Sequence, residues 1–269
     1  MSESTGEAAG AFWKRKYYVI ITGASVGIGR ALAQAFSREV AAKSVFVITG
    51  RNAENLNETK RLVAQDAPDV EVIARVMDHS TATFDDYQKL ITDTWCKISA
   101  ADGVLLVHNV GTVGDVRKYA TALTDEKEID DYFHLNVTSV MTLTSAFLEK
   151  FPNGSNTSRT IINISSLAAV KPMAGAGIYC TGKAARQMYM RIIAEENPTV
   201  TVLNYSPGPV DTAMHRALHH GVKEIAEVAR GIVESGTLLT PEATSLKLVN
   251  ILGTRDFQSG DHVDYFDRT

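Results

Sequence analysis

The chain has 269 residues, of which 45% are apolar and 22% charged, and a formal net charge of −4. That is ordinary globular composition, enough for one α/β domain with a large core, and its mild acidity argues against nucleic acid as a partner. No apolar run is long enough to span a membrane, and two cysteines, Cys96 and Cys180, form no disulfide scaffold, so the expected setting is reducing cytoplasm with both thiols free.

Residues 1–16 are polar and rich in small side chains, with Phe12-Trp13 ahead of Lys14-Arg15-Lys16. They lack the apolar centre of a signal peptide and read as a flexible tail. From residue 17 onward, apolar runs of strand length alternate with longer amphipathic segments. Strands are expected near 17–22, 44–49, 70–76, 103–107, 160–164, 199–204 and 262–265. Helices are expected near 27–40, 53–65, 84–98, 126–150, 179–196 and 242–252. Alternation of this kind predicts an α/β fold: a single Rossmann-type domain over residues 17–269, with a doubly wound, seven-stranded parallel sheet covered by helices on both faces. Its ligand crevice would lie beyond the C-terminal ends of the strands.

The chemically suggestive groups fall just after strands. After the first comes Thr22-Gly23-Ala24-Ser25-Val26-Gly27-Ile28-Gly29, where glycines allow a tight turn and the next helix offers free N–H groups to a pyrophosphate. The second strand ends Gly50-Arg51. A carboxylate for a ribose 2′-hydroxyl is missing there, whereas a guanidinium suits a 2′-phosphate, so NADP(H) is the expected cofactor. Asp78 follows the third strand and is placed to accept from an adenine amino group, to cap the helix beginning near residue 83, or to make a turn.

Tyr179 and Lys183 stand four apart at the start of a helix, so phenol and ammonium share a face. A fixed positive charge lowers a phenol's pKa from about 10 and makes it a usable proton donor. Ser166 ends the fifth strand, and the intervening loop can fold it back beside the phenol to hold a carbonyl. His215, His219 and His220 have no carboxylate or cysteine partner at ligand spacing, so no metal is expected.

Tyr-x-x-x-Lys with an upstream serine, together with Thr-Gly-x-x-x-Gly-x-Gly, resembles the short-chain dehydrogenase/reductase family. The resemblance implies a fourth catalytic residue at Asn136, within Leu135-Asn136-Val137-Thr138-Ser139, that relays protons through a bound water. It implies cofactor contacts from Gly23, Ser25, Gly27, Ile28, Gly29, Arg51, Asp78, Asn109, Gly111, Tyr179, Lys183, Pro207, Gly208, Val210 and Thr212. His108-Asn109-Val110-Gly111 departs from the family's Asn-Asn-Ala-Gly at His108 and Val110, which makes His108 structural rather than catalytic. Many NADP-preferring relatives carry a second basic residue in the glycine turn, where this chain has Val26.

Gly111-Thr112-Val113-Gly114-Asp115, Tyr179-Cys180-Thr181-Gly182-Lys183-Ala184-Ala185-Arg186 and Phe257-Gln258-Ser259-Gly260-Asp261-His262-Val263-Asp264 are similar to the sepiapterin reductase branch of that family. This implies a pterin substrate, with Asp264 accepting from the pterin N3–H and 2-amino group together, and with Ser166, Leu167, Tyr179 and Met214 around the reacting side chain. Ala176 stands where a bulky aromatic is frequent, which implies a wider pocket wall. The resemblance also implies a substrate lid over about 211–240 and a homodimer built on helices 126–150 and 179–196. Its alternative is a broad dicarbonyl or ketone reductase with the same catalytic groups.

Overall fold

The computed structural model describes residues 12–154 and 157–267. Seven strands, β1 (Tyr17–Ile21), β2 (Val45–Gly50), β3 (Glu71–Val76), β4 (Gly103–His108), β5 (Ser158–Ile164), β6 (Val200–Ser206) and β7 (His262–Asp264), form one sheet in the order β3-β2-β1-β4-β5-β6-β7. Every pairing is parallel. The expected doubly wound sheet is therefore present, and the strand order reverses between β1 and β4, where such sheets open a crevice.

Because alternate residues point to opposite faces, the sheet makes two cores from the same strands. Tyr17, Val19 and Ile21 face one layer, with helices α1 (Gly27–Ser37) and α9 (Pro241–Thr254). Tyr18 and Ile20 face the other, with α3 (Phe84–Trp95), α5 (Ser139–Lys150) and α6 (Gly177–Glu196). Central strands β1, β2 and β4 are buried along their whole length, which is why they read as apolar runs without alternation. Helix α2 (Ala53–Asp66) is capped by Asn52, whose side chain accepts from the Asn55 N–H.

Three expectations need correction. The tail does not reach residue 16: Phe12 and Trp13 are buried, Trp13 Nε1 donates to the Val249 carbonyl at 2.9 Å, and the Tyr17 hydroxyl donates to the Phe12 carbonyl at 2.6 Å. Two adjacent aromatics bury more apolar surface than a short segment gains from staying loose. Only residues 1–11 of the expected tail lie outside the described residues. The helix expected over 126–150 is broken into α4 (Glu126–Phe133) and α5 by a π-helical segment, His134–Thr138. Finally, residues 211–240 contain two helices that sequence periodicity left unassigned, α7 (Ala213–Leu218) and α8 (Lys223–Glu234).

Candidate active site

The glycine turn links β1 to α1 across the reversal of strand order. Gly23 and Gly27 have φ of +66° and +60°, a region costly for residues with a Cβ. Gly29 is required by space: a Cβ there would sit 2.3 Å from the Gly23 carbonyl oxygen. The turn is held from β4, since Asn109 Nδ2 donates to the carbonyls of Thr22 and Gly23 at 3.0 and 2.9 Å. Thr22 Oγ1 in turn accepts from the backbone of Asn109 and Val110. Val26 precedes α1 without capping it, and the first turn has no acidic side chain, so the helix's leading N–H groups and positive end face the crevice. This is a cradle for a pyrophosphate.

At the end of β2, a Cβ on Gly50 would meet Ser25 Oγ at 2.2 Å. A side chain at position 50 would therefore need the Ser25 hydroxyl to turn away, and Arg51 beside it is exposed. Sequence reasoning missed Arg30. Its guanidinium reaches the Ser25 and Asn55 carbonyls and Thr59 Oγ1, bracing this end of the site. Asp78 does not cap α3, because Thr83 does so with Asp86 in a reciprocal pair. Asp78 instead accepts from the Ser80 N–H and hydroxyl, which hold its carboxyl below the usual range, with Arg51 adding to the effect. His108 is structural as expected: it is buried and bonded to Thr144.

The π-helical segment positions Asn136, which is buried; its Oδ1 accepts from the Thr112 N–H at 2.9 Å and its Nδ2 donates to the Tyr132 carbonyl at 2.9 Å. π-Bulges commonly mark functional positions within helices. Gly111 lies against it, and a Cβ there would be 2.9 Å from Asn136 Oδ1. Ser166 starts a short 3-10 turn (Leu167–Ala169) with its side chain turned back to accept from the Ala168 N–H at 3.1 Å. Its hydroxyl also faces Tyr179, so the serine and phenol read from sequence are brought together.

The lysine behaves less simply. Lys183 is buried, donates to the Ile164 carbonyl at 2.6 Å, and has Nζ 5.7 Å from the centre of the Tyr179 ring. Burial, and then the like charge of Arg186, push its pKa well below the ordinary lysine value. Burial pushes the Tyr179 phenol up, while the Ser166 hydroxyl and the Arg186 guanidinium pull it down. Arg186, quoted above only as part of a motif, is thus a member of the site, buried one turn beyond the lysine.

After β6, Gly208 has φ +72°, and the chain leaves and re-enters the body at one point: Val210 and Leu239 bridge, with Asp211 N–H donating to the Leu239 carbonyl and Leu239 N–H to that of Pro209. Val210 is buried, and Thr212 caps α7 while its methyl comes within 3.4 Å of where a Gly27 Cβ would stand. The excursion between them packs down on the site. Val113, Val116, Ala176 and Ile225 form a third apolar cluster that includes Tyr179, Cys180 and Met214. Ala176 is buried in this cluster with Ile225 of α8, and a Cβ on the neighbouring Gly175 would meet Val222 at 2.3 Å. Leu167 lies partly exposed, at 38%. Asp264 ends β7 beside Ser206, and one of its oxygens accepts from the Phe266 N–H at 3.0 Å.

Comparison with known proteins agrees with this geometry. The model of the short chain dehydrogenase family matches residues 17–223. Sepiapterin reductase of Bos taurus is 36% identical over 92% of this chain and 94% of its own, and benzil reductase ((S)-benzoin forming) of Bacillus cereus is 31% identical over 91% and 97%. Among solved structures, the KRED1-Pglu enzyme superposes with a TM-score of 0.77 at 25% identity, covering 92% of this chain and all of that one. A short chain dehydrogenase of Escherichia coli CFT073 complexed with NADPH superposes at 0.75 with 24% identity, covering 96% and 99%. With the family model covering more than half of its length, the chain belongs to the short-chain dehydrogenase family and is an oxidoreductase.

Proposed function

We propose that the chain is an NADPH-dependent carbonyl reductase whose substrates are the side-chain ketones of pterins, sepiapterin or 6-pyruvoyl-tetrahydropterin. The observation that carries the reading is Asp264, a carboxylate presented at the C-terminal end of the last strand, with one oxygen held by the Phe266 N–H and no hydrogen bond to the other among the described residues. A pterin shows N3–H and a 2-amino group side by side, which a carboxylate accepts well. The sepiapterin reductases at about one-third identity support the substrate class.

The residues fit NADP(H): Gly23, Ser25, Gly27, Ile28 and Gly29 for the pyrophosphate, Arg51 for a 2′-phosphate, Asp78 for adenine, Asn109, Gly111, Pro207, Gly208, Val210 and Thr212 along the nicotinamide half, and Tyr179 and Lys183 for its ribose. Gly50, which offers no carboxylate to a 2′-hydroxyl, and the exposed Arg51 beside it support the phosphate-bearing form. When bound, the reduced nicotinamide supplies a hydride to the carbonyl carbon. Ser166 orients the carbonyl oxygen, Tyr179 donates a proton to it, and Asn136 holds a water through which that proton is restored. Residues 211–240 act as the lid, with Met214 and Leu167 against the substrate. The exposed apolar side chains Met141 on α5 and Met188 and Ile192 on α6 support a homodimer through these helices.

A second reading, a diketone reductase, is favoured by the apolar cluster under the lid and by the benzil reductases. Steady-state kinetics with sepiapterin and with an aromatic diketone separate the two. Asp264→Asn should lower kcat/KM for sepiapterin by about 10- to 100-fold, the worth of a charge-assisted hydrogen bond, and leave the diketone nearly unchanged. An unchanged sepiapterin value would exclude the anchor.

A further inference from the structure

Strand β7 is the edge of the sheet, three residues that pair with β6 alone. Val263 belongs to the apolar layer with α1 and α9, so His262 and Asp264 on either side of it leave the strand towards the opposite layer, which holds α6. His262 bears this out, since its Nδ1 meets Gln187 Oε1 of α6 at 2.6 Å. The same oxygen accepts from Ser165 Oγ at 3.0 Å, and an oxygen accepting both bonds requires the histidine proton on Nδ1. Gln187 and Ser165 are buried and His262 is half-buried. All three neighbour the site: Ser165 precedes Ser166, His262 stands two residues before Asp264, and Gln187 continues the stripe of Tyr179 and Lys183 at steps of four along α6.

We propose that Gln187 is a positioning residue for substrate choice: its amide oxygen ties the strand end that carries Ser166 to the edge strand that carries Asp264, and so fixes the span between them. The inference rests on the reading of Asp264 as the pterin anchor. Register sets the two strand ends level, because Ile164 and Val263 both pair with Tyr205. Ser165 and Asp264, the next residue on each, therefore stand at one height, two strand spacings or about 10 Å apart. A substrate that engages Ser166 and Asp264 together must cross that gap with hydrogen-bond donors at one end and a ketone at the other, as a pterin does. A diketone has no donor to offer the carboxylate and does not depend on the span. An edge strand of three residues has little backbone pairing of its own, so a side-chain bond to a buried residue of a 20-residue helix carries weight in placing it.

Steady-state kinetics with sepiapterin and an aromatic diketone, and NADPH affinity by calorimetry, test the tie. Gln187→Leu keeps the bulk and removes the acceptor; it should lower kcat/KM for sepiapterin by about 10-fold and leave the diketone and NADPH affinity within about twofold. Gln187→Glu, whose carboxylate accepts both bonds, should hold the sepiapterin value within about threefold of the parent. In an Asp264→Asn background Gln187→Leu should cost less than about twofold, because the span it fixes no longer ends on an anchor. His262→Leu breaks the tie from the edge strand, with the same expected losses, and replaces Gln187→Leu if that variant does not fold. An unchanged sepiapterin value in Gln187→Leu would overturn the proposal. So would equal losses for both ketones, which would assign the effect to the packing of α6, or additive losses in the double variant. Failure of the underlying reading is visible separately, as a parental sepiapterin value in Asp264→Asn alone.

Discussion

Acid should loosen both ends of the cofactor crevice through two buried histidines. His79 is 3% exposed, with Nε2 bonded to Thr49 Oγ1 at 2.8 Å and Nδ1 to the Tyr87 hydroxyl at 2.9 Å, and burial lowers its pKa from 6.5 to about 4. His108 is 1% exposed and is pushed well below its ordinary value by burial and by Arg186. Both are neutral when folded, whereas the unfolded chain takes up protons below about pH 6.5. The native state then binds fewer protons than the unfolded state, so stability falls as pH drops from about 6.5 towards about 4. For His79 the loss is about 2 kcal/mol by pH 5 and about 3 kcal/mol once its folded pKa is passed. His108 adds to it in the same direction. Urea unfolding at about pH 7 and about pH 5, above most carboxylate pKa values, reads the effect. His79→Gln should remove about 2 kcal/mol of the fall, and equal stability of the parent at both pH values would refute the reasoning.

Two further outcomes follow from the same geometry. Arg51→Ala should weaken NADPH binding by about 10- to 100-fold while leaving NADH within about twofold, read by calorimetric titration; equal losses for both would remove the 2′-phosphate role. Trp13→Ala should cost about 3–5 kcal/mol in urea unfolding, since it empties a buried indole site against Phe36 and removes the hydrogen bond to the Val249 carbonyl, and a loss below about 1 kcal/mol would mean the segment is only draped on the surface.

The sheet was legible because its central strands are buried on both faces and so appear as continuous apolar runs, each followed by a chemically marked turn. That Ser166 and Tyr179 come together was legible for a different reason, a helix face and a strand end that set where they point, whereas Asn136 was indicated only by the family resemblance. What the sequence concealed depends on contacts between distant segments. Phe12-Trp13 reads as tail because the partners that bury Trp13 beyond nearby Tyr17, namely Phe36 and Val249, are 23 or more residues away. The helix break at Asn136 has no glycine or proline to announce it; it is visible only once the Thr112 N–H is seen to reach Asn136 Oδ1. Arg186 stood out only as the last residue of a motif, because nothing local indicates that His108, Val110 and Asn163 will close over it. The helices of 211–240 are short and marked by no strong apolar stripe in α7, and their docking is set by Val116, Met173 and Ala176.

The most direct measurement of the central claim is stopped-flow turnover of Tyr179→Phe with saturating NADPH and ketone, alongside NADPH affinity of the same variant. Loss of the phenolic proton should cut the reduction rate by about 100-fold or more while affinity stays within a few-fold of the parent. Reduction at the parental rate with affinity intact would contradict the account.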